Sequence, residues 1–312
     1  MSRPTVTEAP MQRIQHAMST ALMRDMILLQ AARSALQAAG IKRPRILSFG
    51  CSRGDELVTL RLLFPDCELH GCDIQPPALA AARAVDGFAE VFLSDPAEIR
   101  SRGPFDLVVA LSSLCRHPAP EPAEMAIEFP FSAFDDTVSL LTETLSDGGI
   151  FALYNSAYPF RFTSTSKGLS VLRSDRLMGN GYCTVFAPGG ERLLKAGATF
   201  FELYYCLEAI GPLVDTDLYD CLFRKGGAVS ITLPIPHFVD WQTVATWKRD
   251  HLAGISDAVR NLCLARETHY QGLVNPENGE FVILSTVRQA NLARDGFIER
   301  GPIVIRPGPL PA

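Results

Sequence analysis

The sequence predicts an α/β protein built on a doubly wound parallel sheet, and three observations carry that prediction. From Arg45 to Asn155 short apolar runs alternate with helical stretches, the pattern of strands joined by crossover helices. The first run passes through a turn containing Gly50 and Gly54 straight into a helix. An acid, Asp73, closes the second run. Right-handed crossovers place the carboxyl ends of such strands on one edge of the sheet, where ligands bind.

Taken in order, Met11 to Ala39 has apolar residues at the three-and-four spacing of one helical face. Gly40 follows as a C-cap, and Pro44 stops the helix from resuming. The methionine-bearing stripe on this face packs on the core in our reading; a lid over a ligand is the other use of such a stripe. Strands are predicted at Arg45 to Phe49, Cys67 to Asp73, Glu90 to Leu93, Phe105 to Leu111 and Gly149 to Asn155. Helices are predicted at Asp55 to Phe64, Pro77 to Val85 and Phe134 to Leu145. Tyr158 to Gly190, rich in Ser, Thr, Gly, Arg and aromatics, reads as a substrate-side insertion. Thr184 to Arg192 and Tyr219 to Lys225 read as two further strands, and Gly226-Gly227 as a boundary. The tail offers strands at 229–235, 280–287 and 302–305 and helices near 239–252 and 256–264. This gives an N-terminal helical segment (1–43), a ligand-binding domain (44–227), and a C-terminal extension or small α+β module (228–312).

Composition narrows the function. The 312 residues carry 29 basic and 34 acidic side chains, a net charge of −5. That balance argues against a protein that coats nucleic acid or anionic membrane by bulk charge. The 8 cysteines form no Cys-x-x-Cys pair, so no metal site is expected and the thiols read as reduced, in a cytoplasmic protein. No apolar run is long enough to span a bilayer, and the N-terminus lacks a continuous apolar signal segment.

The informative segment is Ile46-Leu-Ser-Phe-Gly-Cys-Ser-Arg-Gly-Asp-Glu-Leu57. Glycines in a strand-to-helix turn let the backbone approach a ligand, and the helix start offers free N–H groups to a negative group. Asp73 stands where a carboxylate can accept both hydroxyls of a ribose. Ser52 and Asp55 occupy the places of the second and third glycines of the dinucleotide fingerprint, and no phosphate-loop motif is present. An NAD-linked oxidoreductase is therefore disfavoured. Glu56 can accept from an ammonium group, so a ligand with ribose, ammonium and carboxylate fits best. S-adenosylmethionine is such a ligand.

Gly50-Cys-Ser-Arg-Gly-Asp-Glu56 resembles motif I of the class I S-adenosylmethionine-dependent methyltransferases, closest to the Gly-Cys-Ser-x-Gly-Glu-Glu variant of chemotaxis-receptor methyltransferases. Two departures stand out. Ser48 replaces the acid usual two residues before the first glycine, with Glu56 as its candidate substitute, and Asp55 replaces a glutamate. The resemblance continues in order through Asp73, Ser94-Asp95, Phe105-Asp-Leu-Val-Val109 and Leu145-Ser-Asp-Gly-Gly-Ile-Phe-Ala152. It implies a Rossmann-like methyltransferase sheet with an N-terminal helical segment and a C-terminal α+β extension. It also implies S-adenosyl-L-methionine as cofactor. The first turn would contribute Phe49, Gly50, Cys51, Ser52, Gly54 and Glu56 to its site. Asp73 would meet the ribose and Ser94 and Asp95 the adenine, with Ile74 and Ser112 also among the cofactor-binding residues. Asp106 opens its strand at the far edge and reads as structural.

The acceptor should lie at the end of the fourth strand, in Ser112-Ser-Leu-Cys-Arg-His-Pro118. Of the 6 histidines, His117 is the one this topology brings to the site edge, as a general-base candidate. Arg116 is the candidate to orient an acidic substrate. After the fifth strand, Asn155, Tyr158 and Arg161 combine aromatic walls with polar groups, as a small-molecule pocket does. The segment lacks the Asn-Pro-Pro-Tyr tetrad, against base and glutamine methylation. The leading expectation is O-methylation of a small molecule or glycan, with no nucleic-acid partner, no membrane insertion and room for a homodimer. The alternatives are a protein-carboxylate methyltransferase of chemotaxis type, or a non-catalytic regulatory or scaffolding protein retaining the cofactor pocket.

Overall fold

The computed structural model describes residues 11, 14–15, 20, 24–84, 89–116, 120–174, 177, 183–194, 217–227, 229–235, 237–239, 271–274, 281–284 and 301–308. Helix α1 (Met26–Ala38) precedes β1 (Arg45–Phe49), α2 (Asp55–Leu63), β2 (Glu68–Asp73), α3 (Pro76–Arg83), β3 (Glu90–Leu93) and α4 (Pro96–Arg102). Then come β4 (Phe105–Leu111), α5 (Pro122–Glu128), α6 (Phe131–Glu143), β5 (Leu145–Tyr154) and β6 (Leu169–Arg173). A short hairpin, β7 (Val185–Phe186) and β8 (Arg192–Leu194), is followed by β9 (Leu222–Lys225) and β10 (Ile231–Leu233). The described chain ends with β11 (His237–Val239), β12 (Gln271–Val274), β13 (Phe281–Leu284) and β14 (Ile303–Pro307).

Nine strands form one sheet in the order β10-β14-β6-β9-β5-β4-β1-β2-β3. From β3 to β5 all neighbours are parallel, whereas β9 runs antiparallel to both β5 and β6. The chain therefore winds outward from β1 through β2 to β3, then returns past β1 to β4. That reversal leaves a crevice above the carboxyl ends of β1 and β4. The antiparallel β9 wedged between β5 and β6 distinguishes the sheet from a dinucleotide-binding sheet, in which the sixth strand adjoins the fifth.

The period of two along the strands explains how both faces are covered. Leu107, Val109 and Leu111 of β4 join Leu57, Leu60 and Leu79 from α2 and α3 and the apolar face of α1. Val108 and Ala110 point the other way, to Ile99, Met125 and Phe134 from α4, α5 and α6. Each fully buried leucine or phenylalanine contributes about 1.5–3 kcal/mol over its exposed state, and helices on both faces supply that burial for every central strand.

The N-terminal stripe departs from expectation. The helix begins only at Met26, because Asp25 adopts a left-handed backbone with φ of 57°. Among the described residues before it, Met11, Ile14, Gln15 and Thr20 belong to no helix or strand. At its other end the predicted cap is present: Ile41 N–H donates to the Leu36 carbonyl and Gly40 N–H to that of Gln37, a Schellman closure.

Thr184 to Arg192 is not one strand but the β7–β8 hairpin, turned at Gly190. Helices α4 and α5 and strand β6 add to the predicted set. In the tail, β10 pairs with β14 and β14 with β6, so part of it extends the main sheet. Strands β11, β13 and β12 form a separate sheet. The two helices expected in the tail lie outside the described residues.

Candidate functional site

An open cleft lies over the carboxyl ends of β1, β2 and β4. Its floor is the turn after β1. Gly50 has φ of +78°, and a Cβ there would stand 2.5 Å from the Cβ of Ser113. Glycine is required twice over, by the backbone and by the close approach of the turns after β1 and β4. Gly54 adopts φ of 92° and caps α2, while Cys51 turns inward and is buried in the core. The Gly50 and Cys51 N–H groups donate to the Cys72 carbonyl, tying the turn to the end of β2.

Asp73 fixes the cleft wall. Its Oδ2 accepts from Ser52 N–H at 3.0 Å and its Oδ1 from Gln75 N–H at 2.9 Å. Each carboxylate oxygen keeps further acceptor capacity toward the cleft. Ile74 and Ser94 line the same wall. Asp95 does not: its carboxylate caps α4, accepting from Ala97 N–H at 2.9 Å and Glu98 N–H at 3.1 Å. Thus Phe49, Gly50, Ser52, Asp73, Ile74, Ser94 and Ser112 come together around one cavity, while Cys51, Gly54, Glu56 and Asp95 support it from behind or beside.

The Ser48 departure has a structural counterpart. Ser48 sits on the α2 side of β1, and its hydroxyl donates to Glu56 Oε1 at 2.6 Å. The Glu56 carboxylate thus projects from the first turn of α2 back under the end of β1. Burial pushes it up to about 7, against the opposing effects of Arg24 and Ser48. The Arg24 guanidinium approaches Glu56 Oε2 at 3.7 Å and Asp25 Oδ2 at 3.4 Å, and Arg24 lines the cleft. Met11, Ile14, Gln15 and Thr20 also line it, so these four residues border this edge of the cleft. The core packing expected of the stripe holds for Ile14, which is buried in the core with Met11 packed against it, and both residues also border the cleft.

On the β4 and β5 side, Ser112 and Asn155 both hold left-handed backbones, φ 57° and 51°. Such conformations cost non-glycine residues energy and cluster where a scaffold imposes them for function. Asn155 is fully buried and donates from Nδ2 to Ser112 Oγ at 3.0 Å. It therefore stands behind the cleft wall and positions Ser112. The Oγ atoms of Ser52 and Ser113, both in cleft-lining residues, are buried without a hydrogen-bond partner, and such orphaned hydroxyls await an acceptor or donor.

Other sequence candidates fall elsewhere. Arg116 is engaged with Glu128 at 2.8 Å and with the Ile14 carbonyl at 3.3 Å, so it anchors the N-terminal segment to α5 rather than facing a substrate. Tyr158 is buried among Phe129, Phe131, Phe134 and Phe186. Its hydroxyl donates to the Phe129 carbonyl at 2.7 Å; it is a core residue. Arg161 stacks over Phe162 at 4.5 Å and does not line the cleft. His117 lies outside the described residues. Asp106, as expected, is structural, accepting from Arg45 N–H at 2.9 Å and from Ser146 Oγ at 2.6 Å. Sequence reasoning missed Arg24, Gln75 and Ser113. Arg24 directly follows the apolar run Ala21-Leu22-Met23, and no local spacing marks it as a cleft residue.

No family model and no curated protein matches the sequence. Solved structures are similar over part of the fold. The plantazolicin methyltransferase BpumL in complex with SAH is 18% identical, with a TM-score of 0.31 over 41% of this chain and 47% of that one. The bifunctional kinase-methyltransferase WbdD is 19% identical, with a TM-score of 0.33 over 47% of this chain and 34% of that one. Streptomyces venezuelae DesVI is 16% identical, with a TM-score of 0.29 over 54% of this chain and 64% of that one. The chain spans about half the length of the plantazolicin methyltransferase.

Proposed function

We propose that this chain is an S-adenosylmethionine-dependent methyltransferase that transfers a methyl group to an oxygen of a small molecule or glycan. The observation that carries the reading is the convergence of Gly50, Ser52 and Asp73 on one cleft at the β1/β4 reversal of the sheet. Asp73 offers carboxylate lone pairs for the ribose hydroxyls, and Ile74 an apolar face for adenine. The turn after β1 lets the ligand lie close to the backbone, and the unpartnered Ser52 and Ser113 hydroxyls meet its polar groups. Glu56, in the place of the missing acid at position 48, supports a working cofactor pocket over a vestigial one.

When bound, the sulfonium supplies an already electrophilic methyl group. The chain's task is to hold an acceptor in line with the C–S bond and to exclude water. Ser112, positioned by Asn155, borders the cleft where the acceptor would approach, and His117 remains the proposed general base. Met11, Ile14, Gln15 and Thr20 at the cleft edge support a small, enclosed acceptor rather than a protein side chain. Cytoplasmic location belongs to the same proposal; among the described residues no helix is long and apolar enough to cross a membrane.

The test is calorimetry of the purified chain with S-adenosylmethionine, S-adenosylhomocysteine and NAD, followed by incubation of labelled methyl donor with small-molecule extracts. Binding of the two sulfur nucleosides without NAD, and label in a small product, is the expected result. Binding of NAD alone, or label only in protein, would reject it.

A further inference from the structure

Behind the β4 side of the cleft two thiols meet. Cys115, in the loop after β4, and Cys183, which leads into β7, are both buried and are hydrogen-bonded to each other. Backbone bonds fix that meeting. Ala157 N–H donates to the Leu114 carbonyl at 2.8 Å, and Phe186 N–H to the Ala157 carbonyl at 2.8 Å, so the loop after β5 ties the loop after β4 to the β7–β8 hairpin. Cys115 also touches the lining of the cleft. Its thiol donates to the Ser112 carbonyl at 3.5 Å, and the Gln15 amide donates to its Sγ at 3.5 Å; Ser112 and Gln15 both line the cleft. Cys51 and Cys72 are neighbours too, but they belong to the cores on opposite faces of the sheet.

We propose that Cys115 and Cys183 are a dithiol site oxidised by peroxide, reached through the cleft past Gln15, and that their disulfide loosens the cleft wall at Ser112. Cys115 meets the peroxide, because it lies one side chain from the cleft and a peroxide is small enough to take the place of the Gln15 amide. The Cys115 sulfur attacks one peroxide oxygen. An S–O bond forms, the O–O bond breaks, and the departing hydroxide leaves as water with the Cys115 proton. The Cys183 sulfur then attacks the Cys115 sulfur. The S–S bond forms, the S–O bond breaks, and the hydroxyl leaves as water with the Cys183 proton. In sum the dithiol is oxidised by two electrons, and the peroxide is reduced to two waters.

The two thiols have different parts. The hydrogen bond to Cys115 and burial push the Cys183 thiol well up, so it stays protonated and does not compete for the oxidant. Its contact with Cys115 makes it the resolving thiol. The disulfide removes the Cys115 proton, and with it the thiol donor to the Ser112 carbonyl. Ser112 holds a left-handed backbone, φ 57°, a conformation that persists only where its surroundings impose it. Losing one of those restraints relaxes a residue that borders the cleft.

The experiment treats the reduced full chain with hydrogen peroxide and maps its peptides by mass spectrometry without reductant. A Cys115–Cys183 crosslink, reversed by dithiothreitol, is expected, with Cys51, Cys67, Cys72 and Cys221 left as thiols. Cys183→Ser should stop at a sulfenic acid on Cys115, captured by dimedone. Gln15→Ala should speed crosslinking roughly threefold by opening the way to Cys115. The wild-type map stands even if a variant fails to fold. No crosslink, or a crosslink between other cysteines, overturns the site; an unchanged rate in Gln15→Ala overturns the route through the cleft. Calorimetry reads the effect on the cleft wall and rests on the cofactor reading above: the oxidised chain should bind S-adenosylhomocysteine roughly threefold more weakly than the reduced chain. Equal affinities overturn the coupling to Ser112 and leave the cofactor reading intact. Binding by neither form overturns the cofactor reading, and the disulfide is then judged by its map.

Discussion

The carboxylate of Asp73 accepts the Ser52 N–H at 3.0 Å, so the acid that ends β2 clamps the turn that follows β1. One side chain thus shapes the floor of the cleft and presents its remaining lone pairs to whatever lies there. Asp73→Ala should weaken S-adenosylhomocysteine binding at least tenfold, about 1.4 kcal/mol. Freeing the Ser52 and Gln75 N–H groups should also lower stability by about 1–3 kcal/mol. Calorimetry and denaturant unfolding separate the two effects; unchanged affinity would remove Asp73 from the ligand site.

Gly50→Ala should destabilise the chain by about 1–3 kcal/mol, because φ of +78° is strained for alanine and its Cβ would meet Ser113. Combining it with Ser113→Gly should recover the steric part and leave the backbone part. Equal denaturation midpoints for Gly50→Ala and wild type would show that the two turns are not packed as described.

Tyr158→Phe should cost about 1–2 kcal/mol by leaving the buried Phe129 carbonyl without its donor. Nucleoside affinity should stay within twofold. A large loss of ligand binding with unchanged stability would return Tyr158 to the substrate pocket.

The buried acids also predict how unliganded stability varies with pH. Glu56 is held at about 7 and Asp25 at about 6, above the ~4 of carboxyls in an unfolded chain. The folded state therefore binds more protons between those limits. The associated stability is full below pH 4 and is lost as pH rises through 6 and 7. Glu56→Gln keeps an acceptor for Ser48 and removes the charge. Relative to wild type it should gain on the order of 1–2 kcal/mol at pH 8 compared with pH 5. Parallel stability profiles for the two proteins would contradict the burial of an ionisable Glu56.

The parts of the fold legible in the sequence are those where local pattern and tertiary environment agree. Strands β1 and β4 begin and end at the predicted residues, because a strand buried on both faces reads as an apolar run between turn signals; the edge strand β3 does so too, as a short run with Phe92 buried. The start of α4 was signalled by Asp95-Pro96, a capping acid before a first-turn proline, but its polar exposed face hid the periodicity. Strand β6 lies within a polar stretch and gains its place by pairing with β9, a partner remote in sequence. The N-terminal stripe misled because Asp25 takes a left-handed backbone in mid-pattern.

At the site, Gly50, Ser52 and Asp73 were legible as a local motif whose spacing the sheet fixes. Arg24 and Ser113 were not, since no periodicity reports which side chain from another element reaches a cleft. Arg116 and Tyr158 have the right chemistry for a substrate pocket, but the Ile14 carbonyl, Glu128 and an aromatic core claim them first.

The most direct measurement is a crystal structure of the chain grown with S-adenosylhomocysteine. The account predicts the ribose hydroxyls on the Asp73 carboxylate, adenine against Ile74, and the homocysteine end over Gly50 toward Arg24. Density for the nucleoside anywhere other than this cleft, or a cleft closed by its own side chains, would contradict it.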